Sequence, residues 1–445
     1  MPYILNTEKD IKEMLTTIGI SSLDDLYRHL PNQIKINKKL NLPSGLSEQE
    51  LRSFIIALAA KNKTINEFNS FLGAGSYKHY VPSALNSIIS RAEFLTAYTP
   101  YQAECSQGIL QAIYEYQSYI CLLTGMDVSN ASLFDGGSSL AESILMSLRV
   151  TQRKKVIISS AIHPEYKRTI YTYLSGFNFK IQEINFDQQG LTDINQLTAD
   201  GDTACIAIQS PNFFGIIEKL GKISSLAKEK GALVIQVANP VSLAILKEPA
   251  AQGVDIVCGD GQALGGFLSF GGPSFGFIAT KNEFLRQLPG RIVGKSTDKE
   301  GKTAYCLTIQ AREQHIKRER ATSNICSNQS LNAISAAIYL SLMGKEGLYD
   351  CALYSLNLAH YLHGRISEVK GVKINFSNNF FNEFVWNVEN QKTVIKKLYK
   401  KGIISGLALS KFYPGLKGGI LSCCTETKSR AQIDEFIETL KTILN

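Results

Sequence analysis

No apolar run in the 445-residue chain reaches the ~18–20 residues needed to span a bilayer. Its opening, MPYILNTEKDIKEML, has no basic stretch ahead of an apolar segment, the pattern a secretory signal requires. The expectation is a cytoplasmic chain with no membrane span. None of the nine cysteines (105, 121, 205, 258, 306, 326, 351, 423 and 424) forms a CxxC pair, and most sit in apolar runs such as Ala204-Cys205-Ile206. Small buried hydrophobes in a reducing compartment explain them better than disulfides or zinc. A strong charge of one sign is also missing. Forty-seven Lys and Arg face 39 Asp and Glu, and the densest basic cluster, Arg312 to Arg320, is interleaved with Glu313 and Glu319. That argues against nucleic-acid binding and for a solvated helix face. There is no internal repeat and no low-complexity tract.

What is present is enough apolar residue, 44% of the chain, to bury a large core without staples. The spacing of signals predicts three parts: a helical segment over 1–75, a large domain over 76–320 and a small α+β domain over 321–445. In the first, Glu8 to Ile18 has helical periodicity, and Ser47 with Glu50 reads as a capping box. In the second, a long helix is predicted over Gln107 to Leu123. Strand signals follow at Lys155 to Ser159, Phe177 to Ile184, Ala204 to Gln209, Ala232 to Val237, Asp255 to Cys258 and Phe275 to Thr280, with helical windows at Glu165 to Leu174 and Ile223 to Lys230 between them. Such alternation implies an α/β fold with a mostly parallel sheet, whose ligands gather at the carboxyl ends of the strands. In the third part, helices at 328–342, 348–369 and 430–444 frame strands near 372–376 and 383–388.

Three local features suggest chemistry. Asp135-Gly-Gly-Ser-Ser139 precedes a helix, and small residues at a helix start leave N–H groups free to cradle a phosphate, with Gly136, Gly137 and Ser138 as the candidates. The plain alternative is a glycine turn capped by Ser138 or Ser139. His163, just past a strand end, could stack on a planar cofactor or be a simple loop residue. Asn239 follows the strand Ala232 to Val237. In this order the set matches the skeleton of pyridoxal-phosphate (PLP) enzymes of the aspartate-aminotransferase fold, fold type I.

Longer strings are more specific. Tyr98-Thr-Pro-Tyr-Gln-Ala-Glu-Cys-Ser-Gln-Gly108 is one, followed by Leu123-Thr-Gly-Met-Asp-Val-Ser-Asn-Ala-Ser132, Gly259-Asp-Gly-Gln262 and Ser269-Phe-Gly-Gly-Pro273. Pro289-Gly-Arg-Ile-Val-Gly294, Gln310-Ala-Arg-Glu-Gln-His315 and Ala321-Thr-Ser-Asn-Ile-Cys-Ser-Asn-Gln329 complete the set. Over nearly its whole length the chain resembles the glycine cleavage system P-protein, glycine decarboxylase, and in length the alpha subunit (subunit 1) of the split bacterial form. The resemblance implies decarboxylation of glycine with PLP and transfer of the aminomethyl group to the lipoyl arm of the H-protein. It implies a beta subunit (subunit 2) in an alpha2beta2-type heterotetramer, with aminomethyltransferase (T-protein) and lipoamide dehydrogenase (L-protein) as system components.

The chain departs from a working PLP site at two places. Where the catalytic half has its Schiff-base lysine, Asp260-Gly-Gln262-Ala263 stands, with no lysine between Lys247 and Lys281. Asn239 takes the place of the aspartate on the pyridine nitrogen, and an amide carries no charge to hold that proton. The expectation is a degenerate pocket at Gly136, Gly137, Ser138, His163 and Asn239 with no covalent PLP, the cofactor being carried by the beta subunit. The residues expected to reach the partner's site are Tyr98, Thr99, Tyr101, Gln102, Glu104 and Asn324. Ser76, Tyr77, His79, Thr322 and Ser323 stand behind them. A non-catalytic scaffold and an independent PLP enzyme of the aminotransferase class are the alternatives.

Overall fold

The computed structural model describes residues 5–36 and 38–445; residues 1–4 of the opening segment and Asn37 lie outside them. The chain divides into two compact units at residues 63 and 64. The first holds two well-capped helices. Glu8–Ile18 is capped by Thr7 with Asp10 as its box partner and ends on Gly19 at φ +80°. Glu48–Ala59 carries the expected Ser47/Glu50 box. None of the described residues in this unit is buried, and Met14, Ile18, Leu51, Phe54 and Leu58 are all exposed.

Residues 64–75, assigned from sequence to the N-terminal segment, pack in the second unit. Asn69–Ser70 pairs in parallel with Ile403–Ile404, and Cys423 donates its N–H to the Phe71 carbonyl. The second unit is built on a seven-stranded sheet. Its spatial order is Val128–Ser129, Gly276–Thr280, Ile256–Asp260, Leu233–Val237, Thr203–Gln209, Lys155–Ser159 and Lys180–Ile184. Five strands are parallel; Gly276–Thr280 runs antiparallel to both of its neighbours. The runs VIIS, ACIAI and LVIQV are apolar on both faces because both faces are covered. Ile157, Ile206, Val234 and Val257 point to one side, against Tyr116, Ile120 and Tyr339. Val156, Ile158, Ala207 and Ile235 point to the other, against Leu140, Ile144 and Ile170. Each buried Ile, Val or Leu among them stabilises the fold by roughly 1.5–3 kcal/mol.

A hairpin of Val293–Thr297 and Thr303–Leu307, absent from the sequence reading, is tied to the helix Gln107–Thr124 by two glutamines. The Gln107 amide exchanges hydrogen bonds with the Tyr305 backbone, and the Gln117 amide does so with Val293. The two helices expected around residues 328–369 form one run, Ser330–Ser367, broken at Gly344, where φ is +62°. It leads to an antiparallel sheet of Val372–Ile374, Glu383–Val388, Gly419–Cys423 and Leu407–Ala408. Trp386 is fully buried there and donates Nε1–H to Ser422 Oγ at 2.8 Å. Among the described residues, no helix is long and apolar enough to cross a membrane.

Candidate functional site

The carboxyl ends of the parallel strands converge where the fold predicts. Gln209, Val237, Ala238, Asn239 and Asp260 meet the loop of Gly75 and Tyr77, with His163, Tyr166 and Ala263, around a cavity of about 30 Å³. That is room for one or two waters, far short of the several hundred Å³ of an ordinary cofactor pocket.

The chain's own groups fill the rest. His163 Nδ1 accepts from the Glu165 N–H, and Nε2 lies 3.0 Å from the Ala74 carbonyl, which fixes the neutral tautomer with its proton on Nε2. Burial holds its pKa below the usual histidine range. Tyr166 stacks on its ring at 4.6 Å, and Phe213 meets it edge-on. A Cβ on Gly75 would lie 2.9 Å from the His163 ring, so only glycine lets the loop cross so closely. The ring that could have stacked on a cofactor is thus covered by the protein.

At the lysine position, Ala263 is 3% exposed and offers no nucleophile. The Gln262 amide accepts from the Tyr77 N–H and donates to the Tyr77 and Gly266 carbonyls, so it acts as a staple. Asn239 caps its own turn, Oδ1 accepting from the Val241 N–H. The helix Gly136–Thr151 starts at the first of the two glycines. Its N-cap is Asp135, whose carboxylate accepts from the Ser138 N–H at 2.7 Å, and not Ser138 or Ser139. The residues at this position do not fit PLP: there is no amine, no free stacking face and no space.

A second constellation joins five of the signature strings. Arg291, 6% exposed, donates from Nη2 to the Tyr101 hydroxyl at 2.6 Å and to the Cys326 carbonyl, and lies 5.1 Å from the Tyr101 ring centre. His315 meets the same ring edge-on. Glu313 lies 3.8 Å from Arg291 and 3.7 Å from His315. Asn328 accepts from Arg291 and donates to the Ala131 carbonyl and Ser132 Oγ, while Asn130 holds the Pro289 carbonyl. Arg312 donates to the Leu288 carbonyl, and its own carbonyl accepts from the Thr322 N–H and hydroxyl.

The charges here are not fully met. Arg291 Nε, Arg312 Nε and Nη2, and Glu313 Oε1 are buried with no hydrogen-bond partner, as are Glu142 Oε2 and Arg149 Nε nearby. Burial, with Arg149 close by, pulls the Arg312 guanidinium down to about 10 against the opposing pull of Glu313. Burial raises the Glu142 carboxyl, which Ser323 and Arg149 oppose. Glu142 and Arg149 line a cavity of about 620 Å³ with Thr322, Ser323 and Asn324.

Of the residues expected to act on a partner, Tyr101 is held by this network through Arg291, with its ring half-exposed at 49%, and Thr322 is held through the Arg312 carbonyl. Tyr98 is 80% exposed, and Gln102, Glu104 and Asn324 are also exposed; Thr99 is half-buried and gives its carbonyl to the Tyr101 N–H. Tyr77 and His79 turn inward instead. Tyr77 donates to Glu383 at 2.7 Å, and His79 pairs with Glu426 at 2.8 Å. The sequence reading passed over Arg291, Glu313 and His315 as functional residues. Each lies inside a quoted string, but the contacts that join them run between distant segments.

A family model for the "Glycine cleavage system P-protein" matches residues 1–440. The chain is 47% identical over 442 residues to "Probable glycine dehydrogenase (decarboxylating) subunit 1" of Carboxydothermus hydrogenoformans, covering 99% of each. It resembles a solved glycine decarboxylase (P-protein) of the glycine cleavage system, in inhibitor-bound form, with a TM-score of 0.91 and 40% identity over 100% of both chains. A sphingosine-1-phosphate lyase of Burkholderia pseudomallei, 14% identical with a TM-score of 0.65 over 93% of this chain and 94% of its own, shares the fold alone. With the fold-type-I sheet, the signature strings gathered round Arg291 and the match running end to end, the chain belongs to the glycine cleavage system P-protein family.

Proposed function

We propose that this chain is subunit 1 of a two-subunit glycine dehydrogenase (decarboxylating), active in glycine cleavage only with subunit 2. Subunit 2 carries PLP on its lysine, and when bound there the cofactor supplies the electron sink for decarboxylation. The aminomethyl group passes to the lipoyl arm of the H-protein, and the T- and L-proteins act downstream. An alpha2beta2 assembly is the arrangement expected.

The observation that carries this reading is the Arg291 cluster. Buried polar atoms of charged side chains that lack a hydrogen bond are costly to keep, and we read those of Arg291, Arg312 and Glu313 as kept for a group that subunit 2 brings. Tyr101 at the cluster, and Tyr98, Gln102, Glu104 and Asn324, which are exposed, offer hydroxyl, amide and carboxylate groups. This chain's part is to fix Tyr101 through Arg291, and to present hydrogen-bonding groups to the carboxylate or phosphate of what the partner holds. The sealed pocket, lacking an amine, speaks against an independent PLP enzyme.

The test is exchange of labelled bicarbonate into glycine. The chain alone should show none; with subunit 2 and lipoylated H-protein it should show full exchange. Exchange by the single chain would overturn the reading. Full activity of the complex after loss of both the Tyr101 and Tyr98 hydroxyls would instead favour a scaffold.

A further inference from the structure

The helix Gly136–Thr151 begins at the carboxyl edge of the sheet with two glycines, the arrangement that concentrates N–H donors and a positive dipole end on one point. That point is not empty of charge. Asp260, the last residue of the strand Ile256–Asp260, places Oδ2 3.1 Å from the Gly136 N–H. Its Oδ1 accepts from the Gln262 N–H at 2.9 Å and from the Ser274 hydroxyl at 2.5 Å. A carboxylate taking two backbone N–H groups and a hydroxyl, one of them at a helix start, has the donor set of a bound phosphate.

The packing is arranged round this contact. A Cβ on Gly136 would lie 2.3 Å from the Tyr166 hydroxyl and 3.0 Å from Asp260 Cβ, so glycine alone lets both side chains reach the helix start. A Cβ on Gly276 would lie 2.1 Å from Ser139 Oγ and 2.2 Å from the Asp135 carbonyl, which pins the helix against the antiparallel strand. The cavity beside Asp260 is lined by no lysine or arginine. A phosphate entering here would meet two carboxylates, Asp260 and Asp135, with no cation to offset them, and like charges at such range repel.

We infer that the Asp260 carboxylate is an internal substitute for a phosphate group: it occupies the helix start within the chain and closes the site to phosphate-bearing ligands. The side chain therefore has two effects. It satisfies the donors that an empty cradle would leave unpaired, and it excludes the anion that the cradle would otherwise attract. Burial, with Asp135 close by, raises the Asp260 pKa, and the three donors from Ser274, Gln262 and Gly136 oppose that rise.

The experiment uses the full chain, with inorganic phosphate and pyridoxal phosphate as probes. Titration calorimetry and thermal melting in phosphate are compared with chloride of equal ionic strength. The wild-type chain should show no saturable binding of either probe and no phosphate-specific rise in melting temperature. Asp260→Gly and the milder Asp260→Ser remove the carboxylate. Either should gain saturable phosphate binding, at least about tenfold tighter than wild type, as expected when a charge-assisted contact replaces a repulsion, and should melt higher in phosphate than in chloride. A variant that folds only in phosphate would support the same conclusion. Binding by the wild type equal to that of the variants would overturn it. So would folded variants that gain nothing, or variants unfolded in both buffers, which would make the carboxylate a requirement of the fold that an anion cannot replace.

Discussion

The sealed pocket and the Arg291 cluster lie in one unit and are built from the same kinds of residue, but they are finished to different degrees. In the pocket the polar groups of Gln262, His163 and Asp260 are met by the chain itself, and the leftover space is about 30 Å³. In the cluster four buried atoms of Arg291, Arg312 and Glu313 have no hydrogen-bond partner. One region has its polar groups met within the single chain; the other does not. A polar group left unmet in a buried site costs about 1–3 kcal/mol, more when charged. On the function proposed above, the pocket is a structural site and the cluster is the one that meets subunit 2.

The largest expected effect comes from breaking the unfinished region at its centre. Arg291→Ala removes the donor to Tyr101, Cys326 and Asn328 and leaves Glu313 buried without its cation. Breaking a buried pair in this way costs about 3–5 kcal/mol. The chain should melt at lower temperature by that cost, and glycine turnover by the complex should fall more than about tenfold, because the hydrogen bond that fixes Tyr101 is lost together with the charge that orients it. Arg291→Lys should not restore turnover, because an ammonium cannot reproduce the planar fork. Near-normal turnover for Arg291→Lys would show that the cluster needs only a positive charge.

The next prediction concerns the complete region. Glu383 clamps the loop over His163, accepting from the Ala74 N–H at 2.6 Å and from the Tyr77 hydroxyl at 2.7 Å. Burial pushes its carboxyl up to about 7, although those two donors pull it down. The folded chain thus keeps a proton there that the unfolded chain releases near 4.5. This contribution to stability is present in full below about pH 4.5 and is lost as pH rises towards 7. Melting temperature should fall across that window more steeply in wild type than in Glu383→Gln, measured by calorimetry at matched ionic strength. Parallel slopes would show that Glu383 ionises alike in both states.

Much of the pocket was legible because it rests on local rules. Strand runs and helix starts placed His163, Asn239 and Gly136 at one sheet edge, and the missing lysine could be read directly. The closure was not legible. It depends on Tyr77 reaching Gln262, on Tyr166 stacking on His163 and on Asp260 returning to Gly136, contacts between segments up to 185 residues apart. The hairpin 293–307 was missed for a related reason. Its strands, VGKST and TAYCL, are short and half polar, and they are anchored by the Gln107 and Gln117 amides and by Val293 and Leu307 packed on the same helix. Arg291 was hidden inside a quoted string because a lone arginine shows no role until Tyr101 and Glu313 stand beside it.

Tyr101→Phe probes the cluster more gently. It deletes one hydrogen bond to a charged group, worth roughly 1.5–3 kcal/mol, so turnover should fall about tenfold or more while the complex elutes intact on size exclusion. Because the same bond exists within the single chain, the isolated Tyr101→Phe subunit should also lose stability. Turnover equal to wild type would make this hydroxyl a packing anchor only.

Tyr98→Phe should have the smallest effect, and a divided one. Tyr98 is 80% exposed, ahead of the buried Pro100, which fixes its own φ and restricts Thr99 towards an extended backbone. The phenol is therefore held out from the chain on a stiff base. No hydrogen bond to it is formed within the chain among the described residues, so the isolated subunit should melt within the range of neutral surface changes, about ±0.5 kcal/mol. In the complex the hydroxyl is expected to meet a group of subunit 2. An ordinary hydrogen bond is worth about 0.5–1.5 kcal/mol, so turnover should fall roughly two- to tenfold. Unchanged turnover in an intact complex would leave the Tyr98 hydroxyl idle and narrow the shared site to Tyr101. Dissociation of the complex would place Tyr98 at the subunit contact itself, where aromatic residues commonly anchor packing.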